Sequence, residues 1–171
     1  MQIRLAQMND LSALMALFAE ARGTIAQLGI DQWQDGYPTE AVITEDIALG
    51  RSYIVEQSGQ LWGTFVIVEE EPSYDVIDDG HWLTGDDSRD YIAIHRVAIP
   101  VACRGQGIAS VIMDYAAQYA QKLGRASLRI DTHRGNIVMR RMLEKQGFEH
   151  CGTIHLPTGA PRVAYERPIA R

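Results

Sequence analysis

The sequence predicts a single α/β domain of about seven strands, organised around a central unit that three observations define. Residues 91–99 (YIAIHRVAI) are rich in Ile, Val and Ala, which suits a strand in the middle of a sheet. Pro100 stops it, and residues 102–107 form a short turn with two glycines. From Ile108 the apolar residues recur as Ile108, Val111, Ile112, Tyr115, Tyr119 and Leu123, the spacing of an amphipathic helix, and Gly124 stands where a helix C-terminal glycine belongs. The central unit is therefore strand, Gly-rich turn, helix.

The other elements follow in order. Residues 3–6 read as a first strand. Asn9 or Asp10 can cap a helix carrying Leu11, Leu14, Met15 and Phe18. After Gly29 comes a stretch of aromatic and turn residues containing Trp33 and Tyr37, and Pro38-Thr39-Glu40 opens another helix that Gly50 ends. Trp33 and Tyr37 read either as loop residues folded onto the core or as a wall facing a ligand. Residues 51–57 and 60–68 form a hairpin joined at Ser58-Gly59. Residues 69–90 (EEEPSYDVIDDGHWLTGDDSRD) are the most acidic stretch and the least periodic. They read as a solvated excursion between two strands. The alternative is an electrostatic funnel for a cationic amine, with His81 and Trp82 as a stacking surface. Beyond the central unit, residues 126–132 give a fifth strand and residues 136–146 a helix that Gly147 ends. Strands from Phe148 to His155 and over residues 162–166 complete the chain.

Length and composition bound the function. At 171 residues the chain is large enough for its own core, so one domain over residues 1–171 is expected. A net charge of −6 and a pI near 5.3 argue against a nucleic-acid binder, which would show a basic face. The two cysteines, Cys103 and Cys151, have no C-x-x-C spacing, so neither a disulfide framework nor a metal site is indicated. The N-terminus lacks an apolar signal core and no run reaches membrane-spanning length, so a cytoplasmic protein with no membrane partner is expected.

The turn Arg104-Gly105-Gln106-Gly107 has a physical use. Backbone N–H groups at a helix start lack intrahelical partners and carry the positive end of the helix dipole, so they bind anions. Glycines let a phosphate approach where a Cβ would block it, and Arg104 adds a charge-assisted contact. The turn matches neither the dinucleotide fingerprint nor the P-loop. An ordinary strand-to-helix loop is the alternative.

Arg104-Gly105-Gln106-Gly107-Ile108-Ala109 resembles the R/Q-x-x-G-x-G/A segment of the GNAT acetyltransferases, with Val97-Ala98-Ile99-Pro100 where their preceding strand ends. Asn136, Met139, Met142-Leu143-Glu144-Lys145 and Gly147-Phe148 resemble that family's N-x-x-A-x-x-L-Y-E-K-x-G-F segment. The resemblance implies a mostly antiparallel sheet, splayed between the fourth and fifth strands, with helices on both faces. It implies acetyl-coenzyme A as cosubstrate, its pyrophosphate on the turn and its pantetheine beside Val97, Ala98, Ile99 and Asn136. Asn136 also reads as a helix N-cap. A backbone N–H near Val97 to Ile99 would polarise the thioester carbonyl. Trp33, Tyr37 and Trp82 would face the acceptor.

The implied reaction is direct attack of a primary amine, on a small molecule or a peptide, within a ternary complex. Relatives often pair as homodimers. The family tyrosine that protonates the leaving sulfur is replaced by Leu143, in a helix register expected to tolerate an aromatic. The general acid is then sought at Tyr165 or His133. For the base, His95 lies on the fourth strand, with a histidine's ordinary ability to accept a proton near neutrality. Alternation puts it on the side of Tyr91 and Ala93. Asp131 and His133 share a face, where a carboxylate can orient an imidazole or bind an ammonium, although Asp131 could equally pair with Arg129 or Arg134. A cysteine acyl-enzyme has no partnering histidine in view. Three rivals remain open: a different acyl donor, a protein N-terminal acetyltransferase, and a non-catalytic acyl-coenzyme A sensor.

Overall fold

The computed structural model describes residues 1–169. Seven strands and four α-helices alternate as β1 (Gln2–Leu5), α1 (Leu11–Ala26), α2 (Glu40–Ala48), β2 (Ser52–Gln57), β3 (Gln60–Val68), β4 (Tyr91–Ala98), α3 (Ile108–Lys122), β5 (Ser127–Thr132), α4 (Ile137–Lys145), β6 (Glu149–His155) and β7 (Pro161–Pro168). The strands form one mixed sheet in the order β1-β2-β3-β4-β5-β7-β6, mostly antiparallel, with β4 and β5 parallel. The parallel ladder joins Tyr91–Ala93 to Ser127–Arg129, although β4 runs on to Ala98 and β5 to Thr132. The chain divides into two compact units: Met1–Ile67 with Arg96–Ile112, and Val68–His95 with Met113–Arg171.

In the first unit β1 and β2, then β2 and β3, pair antiparallel. Leu14, Leu17 and Phe18 of α1 and Ile43 of α2 pack on Ile54 of β2, with Ala6 and Ala98 completing the core. The Ser58-Gly59 turn has both residues at positive φ (52° and 74°), the geometry whose twist matches a two-residue hairpin. Thr39 caps α2, its side chain accepting from the Val42 N–H. Asp10 stands at the N-cap of α1 but does not cap it through its side chain. Its carboxylate accepts from the Gln7 N–H at 2.8 Å and from both terminal nitrogens of Arg4.

In the second unit β5 pairs with β7 and β7 with β6, both antiparallel. Tyr74, Trp82, Tyr91, Ala93, Cys151, Ile154 and Ala164 form its apolar cluster. Residues 69–90 run between β3 and β4 and are mostly exposed, as a solvated excursion would be, but two aromatics anchor them in that cluster. Asp78 exchanges two backbone hydrogen bonds of 2.8 Å with Thr153 of β6, and the His81 N–H donates to the Cys151 carbonyl at 2.9 Å. Two aromatic side chains too large to leave exposed, Tyr74 and Trp82, dock the segment against the sheet. Most of its charges are exposed, Glu71 being an exception, and its aromatics supply the adhesion that periodicity does not reveal.

Candidate active site

The expected anion turn is present in the first unit. A short 3-10 turn over Val101–Cys103 leads into Arg104, and Gly105 (φ 75°) and Gly107 (φ 80°) adopt the left-handed conformation that glycine accepts without steric cost. α3 begins at Ile108, and no acidic residue stands in its first turn to compete with an anion. A Cβ built on either glycine meets nothing within 4 Å, so the space beside this backbone is open. The Arg104 guanidinium reaches the Thr24 hydroxyl at 3.5 Å. Ile108 is buried, and its Cγ2 lies 3.1 Å from where a Cβ on Gly63 would stand, so β3 packs closely against the start of α3. Exposed N–H groups, a helix dipole and a guanidinium fit a pyrophosphate.

β4 departs from a regular strand at Arg96, whose φ is 52°. A left-handed residue interrupts simple alternation, although the strand runs on to Ala98. Val97, Ala98 and Ile99 follow this residue, so their facing is not that of a regular continuation from Tyr91 and Ala93.

In the second unit His95 sits between two carboxylates. Its Nε2 lies 3.0 Å from Glu71 Oε2 and its Nδ1 3.9 Å from Asp131 Oδ1, with all three side chains largely buried. The Tyr74 hydroxyl donates to Asp131 at 2.7 Å, and its ring lies 6.0 Å from that of His95. Burial, then the Asp131 carboxylate, hold the Tyr74 hydroxyl well above the usual tyrosine range, so it remains a donor at neutral pH. Burial pushes the Glu71 carboxyl up, but His95 and the Ser73 N–H outweigh it and bring it to about 2. The backbone of Glu71 is itself fixed, exchanging two 3.2 Å hydrogen bonds with the Tyr91 hydroxyl.

Glu71 and Tyr74 were not visible as site residues in the sequence. Glu71 is one of three consecutive glutamates, and only the docking of residues 69–90 distinguishes it from its neighbours. Asp131 joins His95 rather than Arg129, which pairs with Glu166. His133 is turned to its own loop, its Nδ1 accepting from the Gly135 N–H at 3.0 Å.

Tyr165 is wholly buried, and its hydroxyl accepts from Arg140 Nε at 3.0 Å. Asn136 caps α4, its side-chain oxygen accepting from the Met139 N–H at 3.1 Å. Leu143 has no exposed surface, so the position is a core position. Trp82 departs furthest from its expected place. It is 1% exposed, its indole N–H donates to the Tyr74 carbonyl, and Arg129 lies over its ring, so it has no face to offer an acceptor. Trp33 is half-buried against the core of the first unit, 5.8 Å from Phe18, with Tyr37 6.3 Å beyond it.

Cys103 and Cys151 are free thiols, and burial followed by Glu166 pushes Cys151 up to about 11, far from a reactive thiolate. Among the described residues, no group of three or more His, Cys, Asp or Glu is placed to hold a metal, and no helix is long and apolar enough to cross a membrane.

A left-handed residue late in β4 and a two-glycine start to α3 make an open, anion-accepting turn, and comparison with known proteins gives the family. The acetyltransferase (GNAT) family matches residues 13–148, and the chain belongs to it. It is an acyltransferase, and the family uses acetyl-coenzyme A as cosubstrate and amines as acceptors. A GNAT acetyltransferase from Streptococcus agalactiae 2603 is 35% identical, with 99% of this chain and 96% of that one covered and a TM-score of 0.83. Two more distant structures share the fold. An N-acetyltransferase from Staphylococcus aureus Mu50 is 17% identical over 99% of this chain and 98% of its own, with a TM-score of 0.65. The ribosomal-protein-alanine N-acetyltransferase from Brucella melitensis is 18% identical over 99% and 100%, with a TM-score of 0.63. No curated protein matches the sequence.

Proposed function

We propose that residues 1–171 act as one cytoplasmic N-acetyltransferase domain that moves the acetyl group of acetyl-coenzyme A directly to a primary amine of a small molecule or peptide. The observation that carries this reading is the open, left-handed turn at Gly105 and Gly107 before α3, with Arg104 beside it. The N–H groups of residues 105–109 and the Arg104 guanidinium hold the pyrophosphate. The backbone of Val97, Ala98 and Ile99 pairs with the pantetheine, and Asn136 contributes its side-chain amide. The N–H of Val97, after the left-handed Arg96, polarises the thioester carbonyl.

His95 takes the proton from the attacking amine. The Glu71 and Asp131 carboxylates lie 3.0 Å and 3.9 Å from its two ring nitrogens, and their charges favour an ammonium arriving as the acceptor. Leu143 cannot donate a proton, so the departing thiolate is protonated elsewhere; His133 and Tyr165 are the side chains to test, and Tyr165 first needs release from Arg140. Trp33 and Tyr37 line the acceptor side. A homodimer, usual among relatives, completes the proposal.

The test is binding, then turnover. Acetyl-coenzyme A and coenzyme A should raise the melting temperature where NADH does not; at ~100 times its dissociation constant a ligand adds about 2.7 kcal/mol. Arg104→Glu should abolish that shift, and unchanged affinity would remove the pyrophosphate assignment. A screen of amines then identifies the acceptor. In its pH–rate profile the acidic limb should disappear in His95→Ala, and a limb that persists would exclude His95 as base.

A further inference from the structure

We infer that Arg96 is a positioning residue for acetyl transfer, and that the Asp46–Arg96–Tyr37 lock sets the direction of the Val97 N–H. The inference rests on the acetyl-transfer reading above. A non-glycine residue at φ 52° inside a strand is unfavourable, and it persists only where the surroundings over-determine it. Here they do.

Asp46 of α2 is 1% exposed. Arg96 Nη2 donates to its Oδ1 at 2.9 Å, and Arg96 Nε lies 2.7 Å from its Oδ2. Arg51 Nε donates to the same Oδ1 at 2.6 Å. The remaining terminal nitrogen of Arg96 donates to the Tyr37 hydroxyl, and the guanidinium carbon lies 5.9 Å from the Tyr37 ring centre. Tyr37 in turn packs on Trp33, and Trp33 on Phe18.

The guanidinium is turned to Asp46 and Tyr37 within the protein. What it holds is backbone. The peptide after Arg96 carries the N–H of Val97, so a residue kept left-handed by the buried lock keeps that N–H aimed in one direction. The same guanidinium ties Tyr37, and Trp33 behind it, to β4 at Arg96, so acceptor loop and carbonyl donor are fixed together.

Glycine and alanine separate this role from a charge effect. Both delete the guanidinium, but glycine adopts a φ near 50° freely and alanine does not. In the full-length chain, Arg96→Ala should lose about 10²-fold in kcat, the cost of a misplaced catalytic contact, with the affinity for coenzyme A unchanged. Arg96→Gly should recover much of that loss. Equal loss in both variants, or a loss confined to coenzyme A affinity, overturns the inference.

The amide resonance of Val97 gives a readout independent of turnover. It should shift in Arg96→Ala and stay near its wild-type position in Arg96→Gly; no shift in either overturns the lock. Tyr37→Phe, which removes one hydroxyl, carries the same amide and kcat readouts should the Arg96 variants fail to fold. If the wild-type protein binds coenzyme A but acetylates no amine, the functional reading falls, and the Val97 resonance still decides whether Arg96 holds the turn.

Discussion

Arg129 of β5 and Glu166 of β7 form an ion pair, Nε to Oε1 at 2.9 Å, with side chains 1% and 0% exposed. Ser127 donates to the same carboxylate oxygen at 2.5 Å and Thr84 at 2.7 Å, so the buried charge is compensated by hydrogen bonds as well as by its partner. The guanidinium lies between the Trp82 and Tyr91 rings, 4.1 Å and 4.3 Å from their centres, and donates to the Gly85 carbonyl. Removing one partner leaves a charge in a dry site. Glu166→Gln and Arg129→Met should each lose about 3–5 kcal/mol in urea unfolding, and a loss below ~1 kcal/mol would show the pair to be dispensable.

Gly80 anchors the docked segment of the second unit. A Cβ there would stand 1.8 Å from the Cys151 carbonyl oxygen, main chain that cannot yield without breaking β6. Gly80→Ala should therefore cost about 1–3 kcal/mol, the usual range for overpacking, and open residues 69–90 to limited proteolysis. Wild-type stability with a wild-type digestion pattern would contradict the close approach.

Glu71 makes part of the stability depend on acid. Its carboxyl is held down at about 2, against an ordinary 4.5. A depressed folded-state value stabilises the protein above the unfolded value, and that contribution is lost as pH falls toward the folded one. The stability difference between wild type and Glu71→Gln should thus be constant above pH ~5 and shrink between pH ~5 and ~2. A difference that does not change across that window would show that His95 and Ser73 do not hold the charge.

Gly107 tests the turn without touching its charge. Its φ of 80° suits glycine and strains a β-branched residue, and nothing in the protein fills the space beside it. Gly107→Val should weaken coenzyme A binding tenfold or more, equivalent to about 1.4 kcal/mol, by calorimetry, because the Cβ enters the space an anion would take. Undiminished binding would move the pyrophosphate away from this backbone.

Much of this protein is written locally, and those parts were legible. Periodicity placed α1 and α3; Asn136 and Gly147 bracketed α4; Ser58-Gly59 fixed the β2–β3 hairpin; Pro38-Thr39-Glu40 announced the start of α2. The turn at residues 104–107 was legible because glycine pairs and helix starts are short-range features. The positions that tertiary structure decided are those where side chains distant in sequence meet. Nothing local separates Glu71 from Glu69 and Glu70, and only the docking of residues 69–90 brings it to His95 while burying Trp82. Arg96 reads as one more strand residue, and its left-handed turn exists because Asp46 and Tyr37, fifty residues or more away, hold its guanidinium. Burial of charge and backbone strain are paid for by contacts across the chain, so the sequence alone determined the family and the turn, and the tertiary structure decided which side chains stand around His95 and Arg96.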